Sequence, residues 1–207
     1  MTVATFGSGG PVAPVEPGDP GDRRGAEART EVLTVDPFTP AAHARPLGLI
    51  AVRSVRSDDV EPVRGLFERL SPESRYRRFF SPMPVVDDRL LRWIVEVDHH
   101  DREAVVALVG GEVVGLASYD RSHDDPTVAE VAIMVEDDWQ RAGIGRLLTR
   151  ELGVLADRRG ITRFTADVLN GNVAPVRLAR AVSPALAVSF ADGQTHLVIG
   201  LHRTRPA

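Results

Sequence analysis

A glycine-rich turn between an apolar run and a helical pattern carries the strongest sign of chemical function in this sequence. The run covers 131–135, the motif Gln-x-x-Gly-x-Gly occupies 140–145, and apolar residues then recur at helical spacing. The first turn of a helix has unpartnered backbone N–H groups and the positive end of the helix dipole, which together bind anions. Glycines let a phosphate approach the backbone, and Arg141 and Arg146 add positive charge. The segment therefore predicts a binding site for a diphosphate.

Two known nucleotide-binding motifs are similar to this turn but do not fit it. A dinucleotide-binding fold places a third Gly where this chain has Leu148, and it uses the first strand of its domain. The phosphate loop of NTPases ends in Gly-Lys-Ser/Thr, and this chain has no Lys. The alternative that stays open is a turn that binds no ligand.

Glu130 interrupts the apolar run 128–133 and is our candidate for a general base. Strand alternation places its carboxylate on the face opposite Val131 and Ile133. Apolar neighbours disfavour a charged carboxylate, so we expect a raised pKa, which suits a base that works near neutral pH. The alternative is a strand glutamate that faces solvent or pairs with an arginine.

The composition excludes several other classes of site. Apolar residues make up 43% of the 207 residues, and no apolar run reaches the ~18–20 residues of a membrane span. The absence of Cys and Lys excludes disulfides, cysteine nucleophiles and a lysine Schiff base. A net charge of −4 with dispersed Arg argues against nucleic acid as a partner. His99 and His100 have no third ligand at fixed spacing, so we predict no metal site.

Composition also divides the chain into two parts. Residues 1–46 contain 6 Gly and 7 Pro without periodicity, which predicts a disordered tail. The tail begins without a basic stretch followed by an apolar core, so it does not read as a signal peptide, and we expect a cytoplasmic protein. Residues 47–207 are long enough to bury one core without disulfides or metals.

Periodicity in the second part predicts alternating strands and helices. Strands are expected at 49–55, 104–109, 113–119, 127–135, 163–169, 185–190 and 196–201, and helices begin near Ser57, Ser71, Asp87, Gly143 and Val173. Gly110-Gly111 joins the second and third strands as a hairpin. This order of elements predicts a mixed α/β (α+β) domain.

The strand, the turn, Gln-x-x-Gly-x-Gly and the long helix, followed by a strand and an Asn-led helix, resemble the acetyl-CoA site of the GNAT superfamily of N-acetyltransferases. The resemblance covers residues 49–202 and implies a mostly antiparallel, splayed central sheet of six to seven strands flanked by helices. It also implies that acetyl-CoA is the co-substrate. The residues it assigns to acetyl-CoA are Ile133, Met134, Val135, Gln140, Arg141, Ala142, Gly143, Ile144, Gly145, Arg146 and Asn172.

A second resemblance concerns residues 70–80, Leu-Ser-Pro-Glu-Ser-Arg-Tyr-Arg-Arg-Phe-Phe. This stretch is similar to one in bacterial protein lysine acetyltransferases of the Pat type, which modify acyl-CoA synthetases among other proteins. It implies direct transfer of the acetyl group to a lysine side chain of a protein, with Glu130 at the position of the family's base. The alternatives are a small-molecule amine N-acetyltransferase and a non-catalytic regulator that binds acyl-CoA.

The proton donor and the oligomeric state are less well defined. Many members of the superfamily protonate the departing thiolate with a Tyr, but Ala179 stands at the aligned position here. Ser183 or solvent could serve instead. Pat-type chains commonly carry an added regulatory domain, whereas this chain offers a 46-residue tail. We expect a monomer or a weak homodimer.

Overall fold

The computed structural model of this chain describes residues 2–3, 49–80 and 86–201. The strands of this part are β1 (Thr2–Val3), β2 (Ile50–Ser54), β3 (Arg102–Val109), β4 (Glu112–Arg121), β5 (Val128–Val135), β6 (Arg163–Leu169), β7 (Leu186–Ala191) and β8 (Gln194–Gly200). The helices are α1 (Val60–Arg69), α2 (Pro72–Phe79), α3 (Asp88–Val95), α4 (Ile144–Arg158) and α5 (Val173–Val182). These elements follow the predicted order.

Local sequence explains where several of these elements begin and end. Ser71 starts α2 because its hydroxyl accepts a hydrogen bond from the Ser74 N–H at 3.1 Å, and Pro72 fits the first helical position. The β3–β4 hairpin turns at Gly110 and Gly111, whose φ angles of 60° and 88° favour glycine.

One sheet holds all the strands, in the order β2-β3-β4-β5-β6-β8-β7, and β1 pairs with β5 off this path. All pairs are antiparallel except β5 with β6. The seven-strand path, mostly antiparallel and flanked by helices, confirms the predicted fold class.

The parallel pair β5–β6 separates soon after it forms. It pairs only over residues 128–130 of β5 and 163–165 of β6, and β5 then continues for five more residues. Along these five residues β4 covers one edge of β5, and β1 pairs with the other edge. A gap therefore opens between β5 and β6, and β1 lies in it, within contact of both strands.

Two hydrophobic cores lie on opposite faces of the sheet. On one face α4 and α5 pack over the strands around Leu148, Leu152 and Phe164, all fully buried. On the other face α1 and α3 pack over β3, β4 and β5 around Leu66 and Leu91. Met134 of β5 belongs to this second core. Glu130 lies four residues earlier on the same strand, and since side chains alternate between faces, it lies on the same face as Met134.

The predicted tail at 1–46 lies almost wholly outside the described residues. Its boundary with the domain is therefore still a prediction, and within the tail only Thr2 and Val3 are described, as β1. None of the helices in the described ranges has the length and apolar character that crossing a membrane requires.

Close packing at Gly115 of β4 allows α4 to approach the sheet. A Cβ at this position would lie 3.0 Å from Leu148 Cδ1 and 3.1 Å from Ile144 Cγ2. Both side chains are fully buried and have no room to move away. We expect Gly115→Ala to lower the free energy of unfolding by about 1–3 kcal/mol, measured by urea denaturation.

Gly153→Ala is the matched control for this prediction, because its Cβ would meet only Leu201 Cδ2 at an ordinary 3.7 Å. Gly153 lies inside α4, so the added methyl should stabilise the protein by about 0.5–1 kcal/mol. If Gly115→Ala were as stable as the wild type, the close approach of α4 to β4 would be wrong.

Candidate active site

The turn before α4 has the backbone geometry of an anion-binding loop. Arg141 and Gly143 take the left-handed conformation, with φ angles of 64° and 86°. Such turns bring successive N–H groups toward one side, and a non-glycine residue in this region is often found at a functional site. The first hydrogen bonds of α4 are donated by the N–H groups of Arg146 and Leu147 to the Gly143 carbonyl.

The N–H groups of residues 141–145 have no hydrogen-bond acceptor among the described residues. Arg141 and Arg146 are exposed beside them, whereas the Ile144 side chain is buried in the core and only its backbone is available. Ala142 and Gly145 are half-buried. The predicted diphosphate loop is therefore formed by open backbone donors with two guanidinium groups at their side.

Ile133, Met134 and Val135 lie immediately before this loop, at the end of β5. Their side chains are buried, so only their backbone could bind a ligand. The β1 strand pairs with this edge of β5 in the antiparallel sense, Thr2 opposite Met134 and Val3 opposite Ile133. The predicted binding edge is therefore one to which an extended chain does bind in this structure.

The Gln140 side chain supports the loop from inside. Its amide donates to the Val135 carbonyl at 3.2 Å and to Asp137 Oδ1 and Ser74 Oγ, both at 3.4 Å. Asp137 in turn accepts hydrogen bonds from the Ser71 N–H at 2.8 Å, the Ser71 hydroxyl at 3.1 Å and the Ser74 hydroxyl at 2.7 Å. The two serines of the Pat-type stretch thus bind the turn that leads into the loop.

Asn172 lies at the start of α5, and its side chain is 7% exposed. Since β5 and β6 are parallel and a helix follows each, α4 and α5 begin at the same edge of the sheet. The fold therefore brings the 169–172 turn to the same edge as the predicted diphosphate loop, although the two are distant in sequence.

Glu130 belongs to a row of side chains that crosses the sheet at one register. Its partners are Asp120 on β4 and Thr165 on β6, and Asp120 pairs in turn with Arg102 on β3. The Arg102 Nε donates to Asp120 Oδ1 at 2.8 Å. The predicted face of Glu130 is confirmed, and Glu130 stands where β5 and β6 begin to separate.

The surroundings of Glu130 differ from the apolar environment expected from the sequence. Arg78 of α2 is 4% exposed and lies close enough to Glu130 and Asp120 to interact electrostatically with both. Burial lowers the pKa of Arg78 to about 10, against the opposing effect of the two carboxylates. Burial also raises the pKa of Asp120 above its ordinary value, although Arg102 and Arg78 oppose this. The apolar run on β5 gave no sign of these charges, because they come from α2 and β4.

The arginine-rich stretch of α2 is largely engaged within the protein. Arg77 pairs with Glu73, Arg75 donates to the carbonyls of Glu68 and Leu70, and Arg78 is buried. Adjacent arginines on a helix are typical of a solvated face or of a surface that attracts an acidic partner. Arg78 does neither, and no sequence signal distinguished it from its neighbours.

The described residues contain no cluster of three or more His, Asp or Glu side chains that could hold a metal ion. His99 and His100 instead bond to single carboxylates, Glu103 and Asp101, each at 2.8 Å.

Asp137 links α2 to the turn before the loop, and its contribution to the free energy of unfolding should depend on pH. Burial works to raise the pKa of Asp137, but the hydrogen bonds from Ser71 and Ser74 outweigh it and lower the pKa below 3.8. Since the native state favours the ionised form, the stabilisation is present above about pH 4 and is lost as pH falls through the native pKa. We expect Asp137→Asn to cost about 1 kcal/mol at pH 7, measured by urea denaturation.

The difference in the free energy of unfolding between wild type and Asp137→Asn should shrink when the urea denaturation is repeated near pH 3. Asp138→Asn, at the exposed neighbouring residue, is the control and should change stability by less than about 0.5 kcal/mol. A loss at Asp138→Asn equal to that at Asp137→Asn would contradict a specific role for Asp137.

Comparisons with known proteins agree with this geometry. A family model described as the acetyltransferase (GNAT) family matches residues 63–182, more than half of the chain. Acetyltransferase Pat of Mycolicibacterium smegmatis is 38% identical over 125 residues, which are 59% of this chain and 37% of that protein. This chain thus matches little more than a third of the length of that curated relative.

Two solved structures are similar to the fold. The GNAT domain of S. lividans PAT superimposes with a TM-score of 0.69 and 31% identity, over 74% of this chain and 92% of that one. A putative acetyltransferase from Salmonella typhimurium, yncA, solved with its cofactor acetyl-CoA, gives a TM-score of 0.60 at 20% identity, over 76% of this chain and 96% of that one. The first comparison supports the Pat-type resemblance, and the second supports the fold.

The family model, the sheet that opens between β5 and β6 and the loop before α4 lead to one assignment, which is that this chain belongs to the GNAT family of acetyltransferases.

Proposed function

We propose that this chain transfers the acetyl group of acetyl-CoA directly to the side-chain amine of a protein lysine, with Glu130 as the general base. The observation that carries the proposal is the continuity of two sets of backbone groups, the β5 edge at 133–135 and the open N–H groups at 141–145. An amide-containing arm would bind along the first, and a diphosphate would bind at the second. Glu130 lies on the same strand, three residues before that edge.

The residues that would hold acetyl-CoA are those predicted from the sequence, with a division of roles. Ile133, Met134 and Val135 would offer backbone groups to the pantetheine arm, and the N–H groups of 141–145 would bind the diphosphate, with Arg141 and Arg146 beside it. Gln140 supports the loop from beneath, through its bond to the Val135 carbonyl. Asn172 begins the helix at the same edge of the sheet.

The chemistry required of Glu130 follows from the acceptor. A lysine ammonium with a pKa of about 10.4 must lose a proton before its nitrogen can attack the thioester. The nitrogen then bonds to the acetyl carbon, and the carbon–sulfur bond breaks. Glu130 would accept the proton that the nitrogen releases as this bond forms. A backbone N–H at the end of β5, such as that of Val135, would stabilise the oxyanion.

The open half of the sheet, which is formed by β6, β8 and β7, favours a protein acceptor over a small molecule. Helices α1 and α3 cover β3 to β5 on the Glu130 face, but the same face of β6, β8 and β7 is only partly covered in the described part of the chain. Thr165 beside Glu130 is half-buried, and Val198 in the next strand is 39% exposed. A broad, shallow approach to the base suits a lysine presented on a protein surface.

Replacing Glu130 tests the catalytic proposal. We expect Glu130→Gln to keep the affinity for acetyl-CoA, measured by calorimetry, and to reduce CoA release about 10²–10⁴-fold, because an amide cannot accept the proton. The assay would use a purified bacterial acyl-CoA synthetase as acceptor, with spermidine and free amino acids as small-amine comparisons. Glu112→Gln, an exposed residue at the start of β4, is the matched control.

The outcomes of this assay separate the candidate functions. Release of CoA with the synthetase alone supports protein acetylation, and release with small amines alone would replace it by a small-molecule acceptor. Binding of acetyl-CoA without any acceptor-dependent release would indicate a regulator. Full turnover by Glu130→Gln would remove Glu130 from the mechanism.

The pairing of β1 with β5 generates a separate prediction about affinity. The pantetheine arm and β1 would use the same edge of β5, where Val3 lies opposite Ile133, so they should compete. Substituting Thr2→Pro and Val3→Pro together removes the strand's N–H donors and should tighten acetyl-CoA binding about 2–5-fold in calorimetry. The control pair Thr2→Ala and Val3→Ala keeps those donors, and equal affinities of the two variants would contradict the competition.

A further inference from the structure

A histidine–aspartate pair lies on the open half of the sheet, across the gap from β5. The His196 Nδ1 on β8 bonds to Asp167 Oδ1 on β6, and the side chains are 39% and 26% exposed. Asp167 follows Thr165, the partner of Glu130, by two residues, about 6.7 Å along β6. The pair therefore shares the Glu130 face and lies on the β6 side of the gap, opposite Ala132 and Met134.

The proposed reaction needs a proton donor for the departing thiolate, and this pair could supply one. The departing CoA thiolate is a base and takes up a proton at neutral pH, so a nearby acid lowers the barrier to its departure. Ala179, the residue that the family resemblance aligns with a proton donor, is buried and has no polar group. Ser183 is also buried and donates to the Gly200 carbonyl at 2.7 Å, at the end of β8 far from the gap.

The two tyrosines are poorly placed for the same role. Tyr119 is 1% exposed in the core on the opposite face, donates to the His100 carbonyl at 3.0 Å, and has its pKa raised by burial to about 12. Tyr76 is 46% exposed, and its position on α2 is half a turn away from Ser74 and Arg78, the buried side of that helix.

We propose that His196, positioned by Asp167, is the general acid that protonates the departing thiolate. Because Nδ1 is bonded to Asp167, the ring leans from β8 over β6 toward the gap, and Nε2 is the nitrogen left for a substrate atom. A protonated ring carries a proton on Nε2 that it can donate. This inference rests on the proposed acetyl transfer.

The protons balance as follows. The lysine ammonium releases one proton to solvent, and the neutral nitrogen attacks the acetyl carbon. Glu130 accepts the second proton from that nitrogen as the carbon–nitrogen bond forms. The carbon–sulfur bond then breaks, and the sulfur takes a proton from His196 Nε2. Glu130 later releases its proton to solvent and His196 regains one, so that the products are the amide, CoA thiol and one proton.

The strand positions around His196 are mostly uncharged. Its cross-strand partners are Asp167 on β6 and Ser189 on β7, and its same-face neighbours on β8 are Gln194 and Val198. The diagonal positions on β6 and β7 are uncharged: Thr165, Leu169, Ala187 and Ala191. Asp167 is thus the one charged group that faces His196 from the described strands on either side.

The experiment is the pH dependence of kcat for CoA release, with acetyl-CoA and the acyl-CoA synthetase as substrates. An acid must be protonated to donate, so wild-type kcat should fall at alkaline pH. His196→Gln should lower kcat on the order of 10²-fold and lose this alkaline limb, while the affinity for acetyl-CoA stays unchanged. Asp167→Asn should lower kcat by less than His196→Gln does, because it keeps the acid but removes the carboxylate that positions its ring.

His100→Gln is the matched control, because His100 also bonds to a carboxylate, Asp101, but lies two residues before β3 and outside the gap. It should leave the profile unchanged. A His196→Gln enzyme with wild-type kcat and an intact alkaline limb would overturn the assignment, and so would an unchanged kcat with a raised KM for the acceptor. If the wild type itself released no CoA, the proposed function would fail first, which is a distinct result.

Discussion

The divergence of β5 from β6 is the constraint on which the rest of this molecule depends. Buried backbone N–H and C=O groups require partners, and a strand that leaves its neighbour exposes a row of them in the interior of the sheet. Here the exposed row at 133–135 continues into the open N–H groups of 141–145. A single ligand with amide groups and a diphosphate would satisfy both sets, and β1 shows that the first set accepts an extended chain.

The second constraint is the charge placed beside the gap. Two carboxylates directly opposite each other on neighbouring strands repel, and a buried guanidinium without carboxylates nearby is costly. Arg78, Asp120 and Glu130 resolve both problems together, since each offsets a charge that would otherwise destabilise the fold. Glu130, the candidate base, therefore lies near a buried guanidinium that α2 supplies.

Local signals in the sequence predicted most elements, because periodicity and turn residues act over a few positions. The Gly110-Gly111 hairpin and the helix after Gly143 are found where those residues indicated. The sequence could not predict that Arg78 would be buried near Glu130, since adjacent arginines read alike and burial is decided by what packs on the helix. The β1 pairing and the role of Asp137 could not be predicted either, because they depend on contacts between distant segments.

The spacing of residues in the Pat-type stretch, 70–80, places three of its polar side chains on one side of α2. Ser71, Ser74 and Arg78 are separated by three and four residues, so they lie along one side of the helix start and its first two turns. The two serines hold Asp137 below the loop, and Arg78 reaches the carboxylates at the base of the gap. One helix face therefore connects the loop to the candidate base, and a shift of α2 would change the support of both. In this fold the candidate cofactor loop and the candidate base are physically coupled through α2.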